Sequence, residues 1–398
     1  MNGPSLRRLK LYAAGRLKLK RYFAHCGDGR TQPRLPARAL LWAVLAGQFL
    51  RQTAFHAVEA IARTARLRKT GIEQRFSDDA LGYFFSEHAD PAPTRQALID
   101  VLHRAKRNKT FQDSPSIGLA VDGTTVGRCR KNGCCWCRPY RNEQKQIVGY
   151  RHHLAMLSVV GGGITLPFDV EPYGPKDSEY AAGQRLLRRA LPALGARFAD
   201  YAVVDAGFAT NTFLHTCGEL ALPVVARLKE NLPELSTAVE KRFSSQPPHR
   251  VVKDGKTRIE IWDADDFDPW ETLQWETVRV LRYRQHKPDG TVVQADWFTN
   301  FSKRKVVSLA LYRMAKSRWE IENQGFNDCK TYQGLEHICH HHPNSLLLCW
   351  LLTLLALVIS RLYRLRYLHR GRHKVMSACD LVRLLWIDLG RRVPHESG

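Results

Sequence analysis

Acidic residues are the scarce component of this 398-residue chain: 38 Asp and Glu face 61 Lys and Arg, a formal charge of +23 and a pI near 9.8. That imbalance favours a polyanionic partner, nucleic acid before membrane. Long apolar runs are also missing. The longest, Leu346 to Ile359, spans fourteen residues and is interrupted by Thr353, which is short for a bilayer and suits a buried core helix. No apolar segment follows the charged opening Met1 to Lys10, so neither a signal peptide nor a lipid anchor is expected. The ten cysteines mostly lack framework spacing, which argues against a secreted disulfide scaffold and for a reducing cytoplasm. Low-complexity tracts and internal repeats are absent as well.

What is present is unevenly spread. Residues 1–110 hold 21 basic and 8 acidic side chains, and Arg361 to Lys374 carries six basic residues and no acid. Apolar positions at Leu41, Leu45 and Phe49, then Phe55, Val58 and Ile61, recur at helical spacing. Ser77 and Thr94 are suited to start helices. We therefore expect a helical, basic DNA-end-binding region over 1–112, with a solvated helical bundle as the plainer alternative. From Ile117 the pattern turns to strands, with Asp122 inside the first and two more flanking Gly161 to Gly163. An amphipathic helix from Tyr180 to Leu194, a strand at 201–205, a helix from Asn211 and a strand at 223–228 follow. Such an order gives an α/β fold, a mixed sheet flanked by helices. Turn signals at Asp254-Gly255 and Pro288-Asp-Gly290 mark a β-rich insertion over 233–299. The expected division is thus 1–112, a core in two parts (113–232 and 300–368) around that insertion, and a basic tail over 369–398.

Three acids stand out by context. Asp122 lies mid-strand, Asp205 ends a buried strand before Ala206-Gly207-Phe208, and Glu322 shares a helix face with Arg318 four residues earlier. A lone carboxylate in a buried strand is costly unless something compensates it. Three hard oxygen ligands converging from a sheet and a helix would hold Mg²⁺ or Mn²⁺.

At these residues the chain resembles the DDE transposases of bacterial insertion sequences, in the group marked by a Tyr-Arg-Glu-Lys signature. Asp122-Gly-Thr is similar to that family's first motif, Asp205-Ala-Gly-Phe to its second, and Arg318, Glu322 and Lys330 to its third. The likeness covers roughly 115–365, and the ordered triple is more specific than any one motif. It implies a ribonuclease-H-like fold with a β insertion before the last catalytic helix, and Asp122, Asp205 and Glu322 as catalytic ligands of two Mg²⁺ (or Mn²⁺) ions. It further implies cleavage at element ends, transfer of the 3′-hydroxyl into target DNA, and a homo-oligomer that pairs two ends on double-stranded DNA in the cytoplasm. Two departures stand. The signature Tyr would fall at Ala315, Tyr312 being the nearest candidate, and Lys330 lies eight residues beyond Glu322 where seven is usual, an offset of roughly 80° on an α-helix. Gly325 offers a place for a kink.

Further DNA contacts are expected from Arg318 and Lys330, and from Arg227 and Lys229 just past a core strand. A tryptophan of the insertion, Trp297 or Trp275, is a candidate for stacking on an unpaired base, against the alternative of a β-core ring. Cys134 and Cys137 have metal-ligand spacing, near Cys129, Cys135, His152 and His153, with His337-Ile-Cys339-His-His-His342 far down the chain. A structural Zn²⁺ joining two of these groups is one reading, reduced thiols the other. Two alternatives to transposition share the same residues: a ribonuclease-H-like nuclease without strand transfer, and an inactive transposase-derived DNA-binding protein.

Overall fold

The computed structural model describes residues 3–24, 28–63, 67–112, 114–230, 232–369 and 377–390. Arg370, Arg372 and Lys374 of the second basic block, and the ends of the expected tail, lie outside the described residues.

Strands β1 (Gly118–Cys129), β2 (Arg138–Arg141), β3 (Ile147–Val160) and β4 (Leu166–Tyr173) form an antiparallel group. β3 is long enough to pair β2 with its first half and β4 with its second, both on the edge away from β1. β5 (Tyr201–Val204) and β6 (Val224–Leu228) then add in parallel on the other side of β1. Parallel pairs require crossovers, and the helices Glu179–Leu194 and Asn211–Glu219 supply them. β1 lies between β3 and β5, which is why Leu119, Ala120 and Val121 are fully buried and the segment reads as a continuous apolar run. This is the mixed sheet flanked by helices expected of a ribonuclease-H-like chain.

The segment from 233 to 299 contributes a helix, Pro233–Ser244, and four antiparallel strands, β7 (Arg250–Asp254), β8 (Thr257–Phe267), β9 (Val278–His286) and β10 (Val292–Thr299). These strands do not form a separate sheet. β10 pairs antiparallel with β6, so the order runs β2-β3-β1-β5-β6-β10-β9-β8-β7, with β4 on β3. Both proposed turns are observed, at Asp254 to Thr257 and His286 to Val292. The short β2 strand inside the cysteine-rich loop carries no apolar alternation (Arg-Pro-Tyr-Arg) and was not readable from pattern.

The apolar run is the helix Pro343–Tyr363, buried around nearly its whole girth against β4 and the helix Ala37–Phe49. Ala37–Phe49 is itself buried at all but Arg38. One continuous core therefore joins the N-terminal helices to the sheet. Lys106, in what reads as a basic linker, ends the helix Ala92–Arg107 and donates to the carbonyls of Arg197 and Phe198 at 2.6 and 2.8 Å.

Candidate active site

Register places the first two carboxylates together. β1 and β5 pair as Gly118 with Tyr201 through Ala120 with Val203, so continuing two residues sets Asp205 level with Asp122. Asp205 leaves the strand as the cap of a short turn, its Oδ1 accepting the Phe208 N–H at 3.3 Å. Asp122 is 8 % exposed, so its carboxyl sits largely out of water.

The third carboxylate arrives on a helix from Arg318 to Gln333 whose middle, Ile321–Phe326, is π-helical. Three contacts fix that helix on the sheet. The Tyr201 hydroxyl meets Ser317 Oγ at 2.9 Å in the core, beside the first residue of the helix. Glu320 accepts from the Gly161 N–H at 3.0 Å and from Thr165 Oγ at 3.1 Å, so this acid is consumed in anchoring to the β3–β4 turn. Arg361 of the buried helix pairs with Asp328 at 2.6 Å and donates to the carbonyls of Gln324 and Thr165. Glu322, two residues past the anchor, is left half-buried and directed at the other acids.

Arg318 links the set. Its Nη1 donates to Asp122 Oδ2 at 3.0 Å and its Nη2 to Glu322 Oε1 at 2.7 Å. Burial nevertheless raises Asp122 to about 7, with Asp205 and Glu322 adding to the shift and Arg318 opposing it. All three carboxylates thus share one electrostatic neighbourhood. A fourth joins them: a Cβ on Gly123 would lie 2.1 Å from the carboxyl carbon of Glu179. Glu179 accepts from the Tyr173 hydroxyl at 3.0 Å and is itself shifted upward by burial and by Asp205. Glu179 is the first residue of its helix and is not among the three acids that stand out in the sequence. The signal available was Gly123 in the Asp-Gly-Thr motif, whose missing side chain is what admits the carboxylate.

The donor set suits a hard divalent cation. Asp122, Asp205, Glu322 and Glu179 share one electrostatic neighbourhood, and carboxylate oxygens of this kind are what Mg²⁺ or Mn²⁺ takes. In this structure Arg318 stands between Asp122 and Glu322, and among the described residues no three carboxylates bring ligand atoms within 4.8 Å of one another.

Arg227 and Lys229 lie with Asp205, Ala206 and Gly207 along one open cleft of about 670 Å³ that β10 closes with Gln294 to Asp296. Arg227 donates to the Asp296 carbonyl at 3.1 Å, and both burial and Arg318 push its pKa down. The expectation of Trp297 as a stacking ring needs correction. It is 1 % exposed and forms the inward surface on which the Arg227 guanidinium rests, 5.6 Å from the ring centre. Trp275 packs against Phe298. The exposed tryptophan beside the site is Trp319, at 43 %, stacked on Arg318 at 4.9 Å.

Both departures from the signature have local explanations. Ala315 is fully buried, and Tyr312 turns toward β9, where its hydroxyl accepts from Gln285 at 2.7 Å and its ring meets Tyr283 edge-on. A π-turn takes one residue more than an α-turn, so Ile321–Phe326 absorbs the extra residue before Lys330. Lys330 lies 3.8 Å from Glu336, whose carbonyl borders Gly127 further along β1.

Residues 113–359, more than half the chain, match the protein family described as Transposase DDE domain. Among solved structures the chain is similar to the piggyBac transposase synaptic complex with hairpin DNA determined by cryo-EM. That likeness has 12 % identity and a TM-score of 0.44, and covers 96 % of this chain and 79 % of that one. No curated protein matches it.

Proposed function

Because the chain belongs to the transposase DDE-domain family, we propose that it cleaves DNA at the ends of a mobile element and joins the freed 3′-hydroxyl to target DNA. The observation that supports this reading is the register that sets Asp205 level with Asp122 on adjacent strands, together with the Arg318 bridge from Asp122 to Glu322.

In this reading Asp122, Asp205 and Glu322 hold Mg²⁺ or Mn²⁺, with Glu179 beside them. Two such ions supply activation of the attacking oxygen and stabilisation of the leaving one in an in-line displacement. Arg318 holds Asp122 and Glu322 in one orientation and presents the rest of its guanidinium to a phosphate. Arg227 and Lys229 bind backbone phosphates along the cleft, and Lys330 does so from the far end of the helix. These contacts position the duplex without reading its sequence. The chain works as a homo-oligomer pairing two element ends, with end recognition resting mainly on the basic N-terminal helices.

The test uses purified protein, DNA carrying the element's own ends, a target plasmid and Mg²⁺. Wild type is expected to nick and join, while Asp122→Ala, Asp205→Ala and Glu322→Ala bind the ends and yield no product. Nicks without joined products would replace transposition by simple nuclease action. An inert wild type on the correct ends with Mg²⁺ and Mn²⁺ would leave a DNA-binding protein.

A further inference from the structure

Away from the carboxylates, a second group of ligand atoms is assembled from three separate parts of the chain. Cys134 and Cys137 lie in the loop between β1 and β2, and His152 lies on β3 opposite Val126. Their Sγ, Sγ and Nε2 atoms are mutually within 4.8 Å. The separations are 3.7 Å between the sulfurs and 3.1 and 3.5 Å from the sulfurs to Nε2. A tetrahedral zinc with ordinary Zn–S and Zn–N lengths sets edges of about 3.8 Å between sulfurs and about 3.5 Å from sulfur to nitrogen. The apex geometry of a zinc site is therefore already formed. The two sulfurs are free thiols here, not joined as a disulfide, whose S–S length is about 2.05 Å.

The surroundings match. The loop turns tightly, with the Cys137 N–H on the Cys134 carbonyl at 3.1 Å, as a Cys-x-x-Cys ligand pair requires. His152 is fully buried, and Trp350 of the long core helix meets its ring edge-on at 5.9 Å, with Trp136 tilted against Trp350 at 6.0 Å behind it. Such an apolar shell limits water access to a metal. On the open side stands His341, from the segment between Gln333 and the helix Pro343–Tyr363. Its ring centre is 6.4 Å from that of His152. Its Nδ1 lies 2.5 Å from where a Cβ on Gly133 would be, so the imidazole rests on the backbone next to Cys134. Its nitrogens lie outside the set of ligand atoms within 4.8 Å of one another, so completing a tetrahedron requires the ring to move inward.

We propose that Cys134, Cys137, His152 and His341 bind one structural Zn²⁺, which staples the loop after the Asp122 strand to the segment that follows the Glu322 helix. Such a staple fixes the two ends of the active site relative to each other without entering the chemistry, and it does not depend on the proposed DNA reaction.

The test uses the untagged full-length protein grown with added zinc. Elemental analysis should give about one zinc per chain. Co²⁺ titration of chelator-treated protein should give the visible band of a tetrahedral thiolate site. Cys137→Ser should lose the metal, His341→Ala should weaken Co²⁺ binding by at least about tenfold, and Cys129→Ser should bind as wild type. Amide exchange over 337–342 should quicken when zinc is removed. A wild-type protein that carries no zinc and shows no cobalt band overturns the site. Retention by His341→Ala with loss in Cys129→Ser overturns the staple, since every ligand would then come from β1 to β3.

Discussion

Asp122 shows how strongly a single buried group can be tuned by its setting. Its carboxyl is raised to about 7 because burial outweighs the Arg318 contact. Since the folded protein then holds a proton that the unfolded chain releases near the ordinary carboxylate pKa, stability contributed here is greatest at low pH and is lost as pH rises toward 7. A divalent cation held there as proposed would compensate the buried charge only once the proton has left. Mg²⁺ is therefore expected to raise the melting temperature more at pH 8 than at pH 6, and Asp122→Asn to melt higher than wild type at pH 8 without metal. Thermal melting at the two pH values checks both signs, and an equal Mg²⁺ effect at both would sink the assignment. Gly123 gives a second expectation. A Cβ there would lie 2.1 Å from the Glu179 carboxyl carbon, so Gly123→Ala must displace Glu179. DNA cleavage should fall by at least about tenfold if the acids have to be held in place for the metal, with circular dichroism unchanged.

At the scale of elements, the helix carrying Glu322 owes its position to side chains other than the proposed metal ligands. Arg361 is 5 % exposed, pairs with Asp328 and donates to two carbonyls, one of them inside the π-helical segment. Removing Arg361 leaves Asp328, which is 23 % exposed, without its partner and two carbonyls without their donor, so Arg361→Met should lower unfolding free energy by roughly 1–3 kcal/mol, read by urea denaturation. A loss below about 1 kcal/mol, the size of an exposed pair, would show that Arg361 does not anchor the helix. Much of this architecture was legible beforehand. The three antiparallel strands, the amphipathic helix ending at Leu194, the βαβ unit and both hairpin turns follow from apolar period and turn residues, which are local signals. The third motif was legible as order and spacing. Less accessible were features that depend on distant partners. Spacing from Arg318 separates Glu322 from Glu320, but that Glu320 is consumed as an anchor is decided by the distant β3–β4 turn. The π-turn that absorbs the extra residue before Lys330 has no period of its own. Trp297 looks like any other tryptophan of its segment until β10 is seen to pair with β6 and bury it.

For the whole molecule, the charge of +23 is best understood with the sheet that carries it. β7 to β10 extend the sheet beyond β6, and the cleft they close with Asp205 holds Arg227 and Lys229 at its wall. Basic residues are thereby set beside an acidic centre, an arrangement that lets phosphates approach carboxylates which would otherwise repel them. Duplex binding should be dominated by counterion release, with affinity falling steeply as salt rises. Arg227→Gln combined with Lys229→Gln should weaken binding to element ends and to unrelated duplex by similar factors, and reduce the slope of log affinity against log salt by about 2. Equilibrium binding over a salt series on both DNAs measures this. An unchanged slope would remove these two residues from the DNA path, whereas selective loss on the element ends alone would make them readers of sequence.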